Sequence, residues 1–151
     1  LSQHDFDVDA WDINENSIQK LNDIIQSEQI GNIHPTIRDL NLNPEIHDQY
    51  DFICCTVVMM FLESTTIPPL IQQMQNATKP QGFNLIVCAM DSEDYPAQPD
   101  FPFAFKPGEL SAYYQDWTLV KYNENVGELH RVDENGNRIK QRFATLLAQK
   151  T

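Results

Sequence analysis

The order of strand-like and helix-like segments is the feature that most constrains this chain. Each strand-like run is short and either alternates apolar and polar residues or is apolar throughout, and each helix-like run repeats apolar residues every three or four positions. The strands are predicted at Phe6–Asp12, Ile33–Arg38, Asp51–Thr56 and Phe83–Met90, and the helices at residues 16–30 and from Thr66 to the Lys79–Gly82 stretch. Strands that alternate with helices in this way build parallel sheets through right-handed crossovers. The sequence therefore predicts an α/β fold.

Local signals mark where the two helices begin and end. Asn14 or Asn16 can cap the first helix, and Gly31 can end it. Thr66 can cap the second helix, and Pro68 suits its first turn.

The second half of the chain has a different pattern. Ser92–Pro107 is rich in proline and acidic residues, which predicts an irregular surface loop that could cover a site as a lid. A short helix is predicted at residues 109–114. Three strands follow, at Trp117–Tyr122, Glu128–Val132 and Ile139–Ala148, with Asn135-Gly136 as a hairpin signal. The sheet is therefore predicted to finish with antiparallel strands.

Composition narrows the class of protein. A chain of 151 residues suits a single domain over residues 1–151. Its 22 acidic residues against 10 Lys and Arg give a net charge of −12, which argues against nucleic acid as a partner. No apolar run reaches the roughly 18 to 20 residues of a membrane span, so no membrane partner is expected.

The cysteines and histidines are the residues of this chain that are suited to redox or metal chemistry. Cys54, Cys55 and Cys88 all lie in apolar strand-like runs, so we expect buried free thiols and a reducing, cytoplasmic compartment. The four histidines have no ligand spacing with these cysteines, so no metal site is predicted.

Several segments resemble a known family more closely than a shared fold alone would require. They are Asp12–Ile18, Asp51–Ile53, Thr56–Val58, Met60–Leu62, Asn84–Val87 and Gly127–Arg131, with Asp133–Lys140 and Phe143–Thr145 as the most specific. The sequences of these segments resemble the TehB family of tellurite-resistance methyltransferases. The resemblance implies a class I, Rossmann-like methyltransferase sheet with S-adenosylmethionine as cofactor. It also implies methyl transfer to a small oxyanion or soft nucleophile such as tellurite or selenite, and leaves a homo-oligomer open.

The family pattern also has a first strand and a glycine-rich cofactor turn before the position of Leu1, whereas the first glycine here is Gly31. In the family that strand lies between those that correspond to Phe6–Asp12 and Asp51–Thr56. Each backbone group left unpaired inside a sheet costs about 1 to 3 kcal/mol. We therefore expect the working protein to contain residues upstream of Leu1.

Five residues are candidates for binding the cofactor. Asp12 ends a strand and precedes a helix, where a carboxylate can accept hydrogen bonds from ribose hydroxyls, although a helix-capping role is an equal alternative. The resemblance favours ribose, and it implies an adenine contact for Asp39 beside Arg38, with a turn aspartate as the alternative. It also places Thr56 and Val57 along the cofactor, while their alternative is plain core.

The candidates on the acceptor side are His130, Arg131 and Arg138, which flank a hairpin resembling the family's C-terminal active-site element. Methyl transfer from a sulfonium is an in-line displacement, so orientation supplies much of the rate, and arginine with histidine suits holding an anionic acceptor. Arg138, Lys140 and Arg142 also alternate on one strand face. Charges of that kind protect edge strands, and we favour this reading for Lys140 and Arg142.

Two other classes of function remain open. A catalytically silent fragment or ligand-binding module would account for the missing glycine-rich turn. A nucleotide-binding dehydrogenase would also use an acid after its second strand, but the antiparallel C-terminal hairpin argues against it.

Overall fold

The structure is a computed structural model that describes residues 1–151, and it divides into two compact units, Leu1–Pro44 and Glu45–Thr151. The helices and strands of the two units follow one another in the order that the sequence predicts. The assignment of residues 1–151 to one domain stays a prediction. No helix is both long enough and apolar enough to cross a bilayer.

The first unit is a strand–helix–strand motif. Strand β1 (Val8–Asp12) and strand β2 (Ile33–Ile37) are parallel, with Val8 opposite Ile33, and α1 (Glu15–Glu28) connects them. The helix begins at Glu15, one residue before the predicted start, and of the two predicted caps it uses Asn14, whose side chain accepts hydrogen bonds from the backbone amides of Asn16 and Ser17.

The predicted end of α1 at Gly31 is wrong. Gln29 adopts the left-handed conformation that usually favours glycine, with φ of 53°, and its amide donates to the carbonyl of Ile25. The capping hydrogen bond therefore closes the helix two residues before the glycine.

The second unit contains a five-stranded mixed sheet with two helices. Its elements are β3 (Tyr50–Thr56), α2 (Ile67–Ala77), β4 (Thr78–Ala89), α3 (Glu109–Ala112), β5 (Thr118–Asn123), β6 (Val126–Val132) and β7 (Arg138–Gln149). The strand order is β3-β4-β7-β5, and β6 also pairs with β7. Strands β3 and β4 are parallel, whereas β7 is antiparallel to β4, β5 and β6. The predicted antiparallel finish is confirmed.

One expectation about this sheet is wrong, and another stays a prediction. Strand β7 pairs with β4 over Phe143–Gln149 and with β6 over Arg138–Arg142, so Lys140 lies in a part of β7 that pairs with β6 alone. Edge protection by Lys140 and Arg142 therefore stays a prediction. Cys54 is exposed, because β3 ends the strand order and hydrogen-bonds to β4 alone, whereas Cys55 and Cys88 are buried as expected.

The core of the second unit lies between α2 and the central strands. The α2 face that is buried consists of Ile67, Leu70, Ile71, Met74 and Ala77, and β4 and β7 contribute Ile86, Cys88, Leu146 and Ala148. Pro68 lies in the first turn of α2 as predicted, but the Thr66 side chain makes no capping hydrogen bond.

A chain of buried polar groups crosses this core. The Tyr114 hydroxyl donates to Asn84 Oδ1 at 2.9 Å, Asn84 Nδ2 donates to Thr78 Oγ1 at 2.7 Å, and Thr78 Oγ1 donates to the Met74 carbonyl at 2.6 Å. All three side chains belong to fully buried residues. Burial raises the pKa of Tyr114, so its hydroxyl stays protonated and able to donate.

Candidate functional site

The carboxyl ends of β1 and β2 bring three predicted site residues to one edge of the first unit. Asp12 is the last residue of β1 and is exposed, and its carbonyl accepts a hydrogen bond from the Arg38 amide at 2.9 Å. Arg38 and Asp39 follow β2 directly. Ligands of α/β proteins bind outside the carboxyl ends of parallel strands, so this edge has the expected position for a site.

The Asp12 carboxylate has one oxygen engaged. Its Oδ1 accepts from the Asn14 amide at 2.9 Å, which supports the turn into α1, while Asn14 itself caps the helix. The structure gives Asp12 Oδ2 no hydrogen-bond partner. The residue can therefore support the helix start and still present an oxygen to a ligand.

Arg38 and Asp39 shape the loop after β2. The Arg38 guanidinium lies 3.9 Å from the Trp11 ring centroid, and its Nε donates to the Asn43 carbonyl at 3.1 Å. Asp39 Oδ1 accepts from the Asn41 amide at 2.9 Å, which is the turn geometry that we gave as the alternative. Both residues stabilise this loop, and their roles toward a cofactor stay predictions.

The carboxyl end of β3 is exposed and strained. Val57 has a φ of 58° and is 51% exposed, and its amide donates to the Val87 carbonyl at 2.7 Å. β-Branched residues such as valine rarely adopt the left-handed backbone conformation, so this conformation is strained. Strained backbone of this kind is concentrated at functional sites. Thr56 is also exposed, so the alternative reading of these two residues as plain core is wrong.

The β6–β7 hairpin carries the three predicted acceptor residues. His130 and Arg131 lie on β6, Arg138 begins β7 opposite Val132, and all three are exposed. The turn between the strands is closed by Asp133 Oδ1, which accepts from two backbone amides of the turn, and Gly136 has a φ of 79°. The fold places the three residues on one hairpin without a direct contact between them.

Arg131 is held by the irregular loop that was predicted at Ser92–Pro107, which we call the proline-rich loop. Arg131 Nη1 donates to Asp100 Oδ2 at 2.7 Å, and its guanidinium lies 5.4 Å from the Phe101 ring centroid. The Arg131 hydrogen bond is the main cause that lowers the pKa of Asp100. Phe101 packs edge-on against Phe61, with ring centroids 5.5 Å apart.

A second arginine holds the other end of this loop. Arg142 Nε donates to both Asp94 oxygens at 3.0 and 3.1 Å, and Arg142 Nη1 donates to the Glu124 carbonyl at 2.8 Å. The pKa of Asp94 is lowered, first by its hydrogen bond to Arg142 and then by its hydrogen bond to Ser92. The adjoining open cavity measures about 570 Å³ and is lined by Ser92, Glu93, Asp94, Pro107, Glu124 and Arg142.

The prediction missed Asp94, Asp100, Phe61 and Phe101. The acidic residues of the proline-rich loop were visible in the sequence, and so were the arginines of the terminal hairpin. Their pairing was not visible, because Asp94 and Arg142 are 48 residues apart in the chain.

Two of the three thiols are unsuited to nucleophilic chemistry. Burial is the main cause that raises the pKa of Cys55 to about 12, and burial likewise raises the pKa of Cys88. A thiol attacks as the thiolate, so both cysteines are protonated and unreactive near neutral pH.

Solved structures share this arrangement of strands. The N-methyltransferase NodS from Bradyrhizobium japonicum, in complex with S-adenosylhomocysteine, matches with a TM-score of 0.63 at 12% identity, over 94% of this chain and 65% of its own. The crystal structure of TehB from Haemophilus influenzae matches with a TM-score of 0.91 at 48% identity, over 96% of this chain and 50% of its own. The fold is that of the class I S-adenosylmethionine-dependent methyltransferases.

The sequence itself gives the family. The family model described as "Tellurite resistance protein TehB" matches residues 1–147, and the chain belongs to this family. It is 49% identical over 150 residues to the "Probable S-adenosyl-L-methionine-dependent methyltransferase TehB" of Haemophilus influenzae strain 10810. That match covers 99% of this chain and 52% of the relative, so the chain spans about half the length of the curated relative.

Proposed function

We propose that the protein is an S-adenosylmethionine-dependent methyltransferase whose acceptor is a small oxyanion or soft nucleophile, with tellurite and selenite as the first candidates. The observation that carries the proposal is the 49% identity, over almost the whole chain, to a relative named as a probable methyltransferase of this kind. The family description, "Tellurite resistance protein TehB", supports the choice of acceptor class. The cytoplasm is the proposed compartment, in keeping with two buried free thiols.

On the cofactor side, we assign the ribose contact to Asp12 and the adenine contact to Asp39. Asp12 fits a ribose because it is exposed at the end of a parallel strand and one of its oxygens has no partner. Asp39 Oδ1 already accepts a backbone amide, so its other oxygen is the one assigned to the adenine. When bound, the cofactor supplies an electrophilic methyl group.

On the acceptor side, we assign binding and orientation to His130, Arg131 and Arg138. In-line displacement at a methyl carbon needs an approach along one direction, and an acceptor with a free lone pair needs no strong base. An anion must nevertheless be held by a chain whose net charge is −12. Exposed guanidinium groups on the β6–β7 hairpin meet that need, because they donate charge-assisted hydrogen bonds to oxyanions.

The cofactor assignment can be tested by titrating S-adenosylhomocysteine into the full-length protein in a calorimeter. Asp12→Asn keeps an oxygen for the Asn14 amide but loses the charge, so we expect affinity to fall by about tenfold or more. Asp5→Asn is the matched control, because Asp5 is an exposed aspartate whose left-handed conformation asparagine tolerates. Equal affinity for Asp12→Asn and the wild type would leave Asp12 with the capping role alone.

The acceptor assignment can be tested by turnover with selenite in the same protein. Arg131→Ala or His130→Ala should reduce turnover while binding of S-adenosylhomocysteine is preserved. Lys140→Ala is the control on the neighbouring strand. Undiminished turnover in both variants would remove the two residues from the mechanism, and absence of cofactor binding by the wild type would favour a catalytically silent binding module.

A further inference from the structure

Arg131, which we assign to binding an anionic acceptor, already forms an ion pair with a carboxylate of this chain. Its Nη1 donates to Asp100 Oδ2 at 2.7 Å, and no hydrogen-bond partner occupies Nε or Nη2. A carboxylate and an inorganic oxyanion offer the same chemistry to a guanidinium, which is a negatively charged oxygen that accepts an N–H. Asp100 therefore occupies a position that an anionic acceptor would need.

Arg142, the second arginine that contacts the proline-rich loop, shows what a structural ion pair looks like in this protein. Arg142 contacts both oxygens of Asp94 and also donates to a backbone carbonyl, and its side chain is 31% exposed. The Arg131–Asp100 pair has one hydrogen bond, and its side chains are 46% and 60% exposed. Exposed ion pairs with a single hydrogen bond are weak. The Arg131–Asp100 pair is therefore the one in which another anion can replace the carboxylate.

Packing keeps the Asp100 carboxylate in place without burying it. The adjacent Phe101 lies under the Arg131 guanidinium and packs edge-on against Phe61. Phe61 ends the short turn Met59–Phe61, which follows the strained Val57 at the carboxyl end of β3. The carboxylate is thus aligned with Arg131 by two aromatic rings of the second unit.

We propose that Asp100 is a specificity-determining residue that competes with anionic acceptors for Arg131. An incoming oxyanion must displace the carboxylate, so Asp100 weakens the binding of anions. The same competition restricts binding to anions that bind the Arg131 guanidinium more tightly than a carboxylate does. This inference rests on the acceptor role proposed for Arg131.

The test is a calorimetric titration of selenite into the full-length protein saturated with S-adenosylhomocysteine, at constant ionic strength. Asp100→Asn keeps the size of the side chain and removes its charge, and we expect selenite to bind about two- to fivefold more tightly. Asp94→Asn, in the same loop and also paired with an arginine, should leave selenite affinity unchanged. The fall in dissociation constant should be matched by a fall in KM for selenite at unchanged kcat.

A double variant separates competition from loosening of the loop. In an Arg131→Ala background the carboxylate has no guanidinium to occupy, so adding Asp100→Asn should have no effect on the remaining selenite affinity. Unchanged or weaker binding by Asp100→Asn, in a protein where Arg131→Ala loses affinity, overturns the role of Asp100 alone. Wild-type affinity in Arg131→Ala instead removes Arg131 from the acceptor site, and the inference about Asp100 fails with it.

Discussion

Tyr114→Phe should destabilise the protein more than removal of an exposed hydroxyl would. The lost hydroxyl donates to Asn84 Oδ1 at 2.9 Å, and both residues are fully buried. Asn84 Oδ1 would be left without a partner in the core, and an unsatisfied buried acceptor costs about 1 to 3 kcal/mol. In a protein of roughly 150 to 250 residues, each kcal/mol shifts Tm by about 2 to 4 °C, so we expect a fall of about 4 to 8 °C for 2 kcal/mol.

The measurement is the free energy of unfolding of the full-length protein in urea, together with Tm. Tyr113→Phe is a matched control, because it removes the same atom from the neighbouring residue, whose hydroxyl makes no hydrogen bond, and it should change stability by less than about 0.5 kcal/mol. Equal stabilities of the two variants would refute the view that the buried polar chain from Tyr114 to Thr78 stabilises the fold.

Three further predictions concern close packing, thiol reactivity and acid stability. Gly82→Ala should lower Tm by several degrees, because its Cβ would lie 2.8 Å from the Asp51 carbonyl oxygen, whereas Gly31→Ala, with open space around it, should be neutral in the same thermal scan. Iodoacetamide at neutral pH, followed by mass spectrometry, should modify Cys54 alone in the folded chain of residues 1–151 and all three cysteines after denaturation. Labelling of Cys55 or Cys88 without denaturant would contradict this. The pKa of Asp94 is lowered by folding, so its pairing with Arg142 stabilises the protein above the ordinary carboxyl pKa of about 4, and this stability is lost as pH falls further. Asp94→Asn should therefore show a smaller drop in Tm than the wild type between about pH 7 and pH 3, and an identical drop would argue against the pair.

Local signals predicted the fold well where one interaction decides the structure. The cap at Asn14 fixed the start of α1, and Gly136 adopts the positive φ that the Asn135-Gly136 signal requires. The prediction failed where a neighbour in space decides the structure. Cys54 lies in an apolar run of sequence, which predicts burial. Its exposure is determined by the position of β3 at the end of the strand order, which the sequence does not show.

The same distinction holds for the candidate site. Its candidate residues lie at strand ends and on a hairpin, which the sequence marks, but only Asp12 could be proposed from that position, and the family resemblance was needed to single out Val57 and Arg131. The Val57 φ of 58° has no sequence signal, because valine is among the residues least suited to it. The partners of Arg131 and Arg142 also could not be predicted, because they depend on how the proline-rich loop folds back over the hairpin.

Strand β7 pairs with β4, β5 and β6, and this limits which changes in sequence the protein can accept. Its residues Phe143–Gln149 pair with β4 and its residues Arg138–Arg142 pair with β6, so one continuous strand belongs to both the core and the hairpin. A change in the twist or length of the hairpin would thus disturb the packing of the whole sheet. Sequence change is better tolerated in the proline-rich loop, where side chains can be exchanged without changing the pairing of the strands.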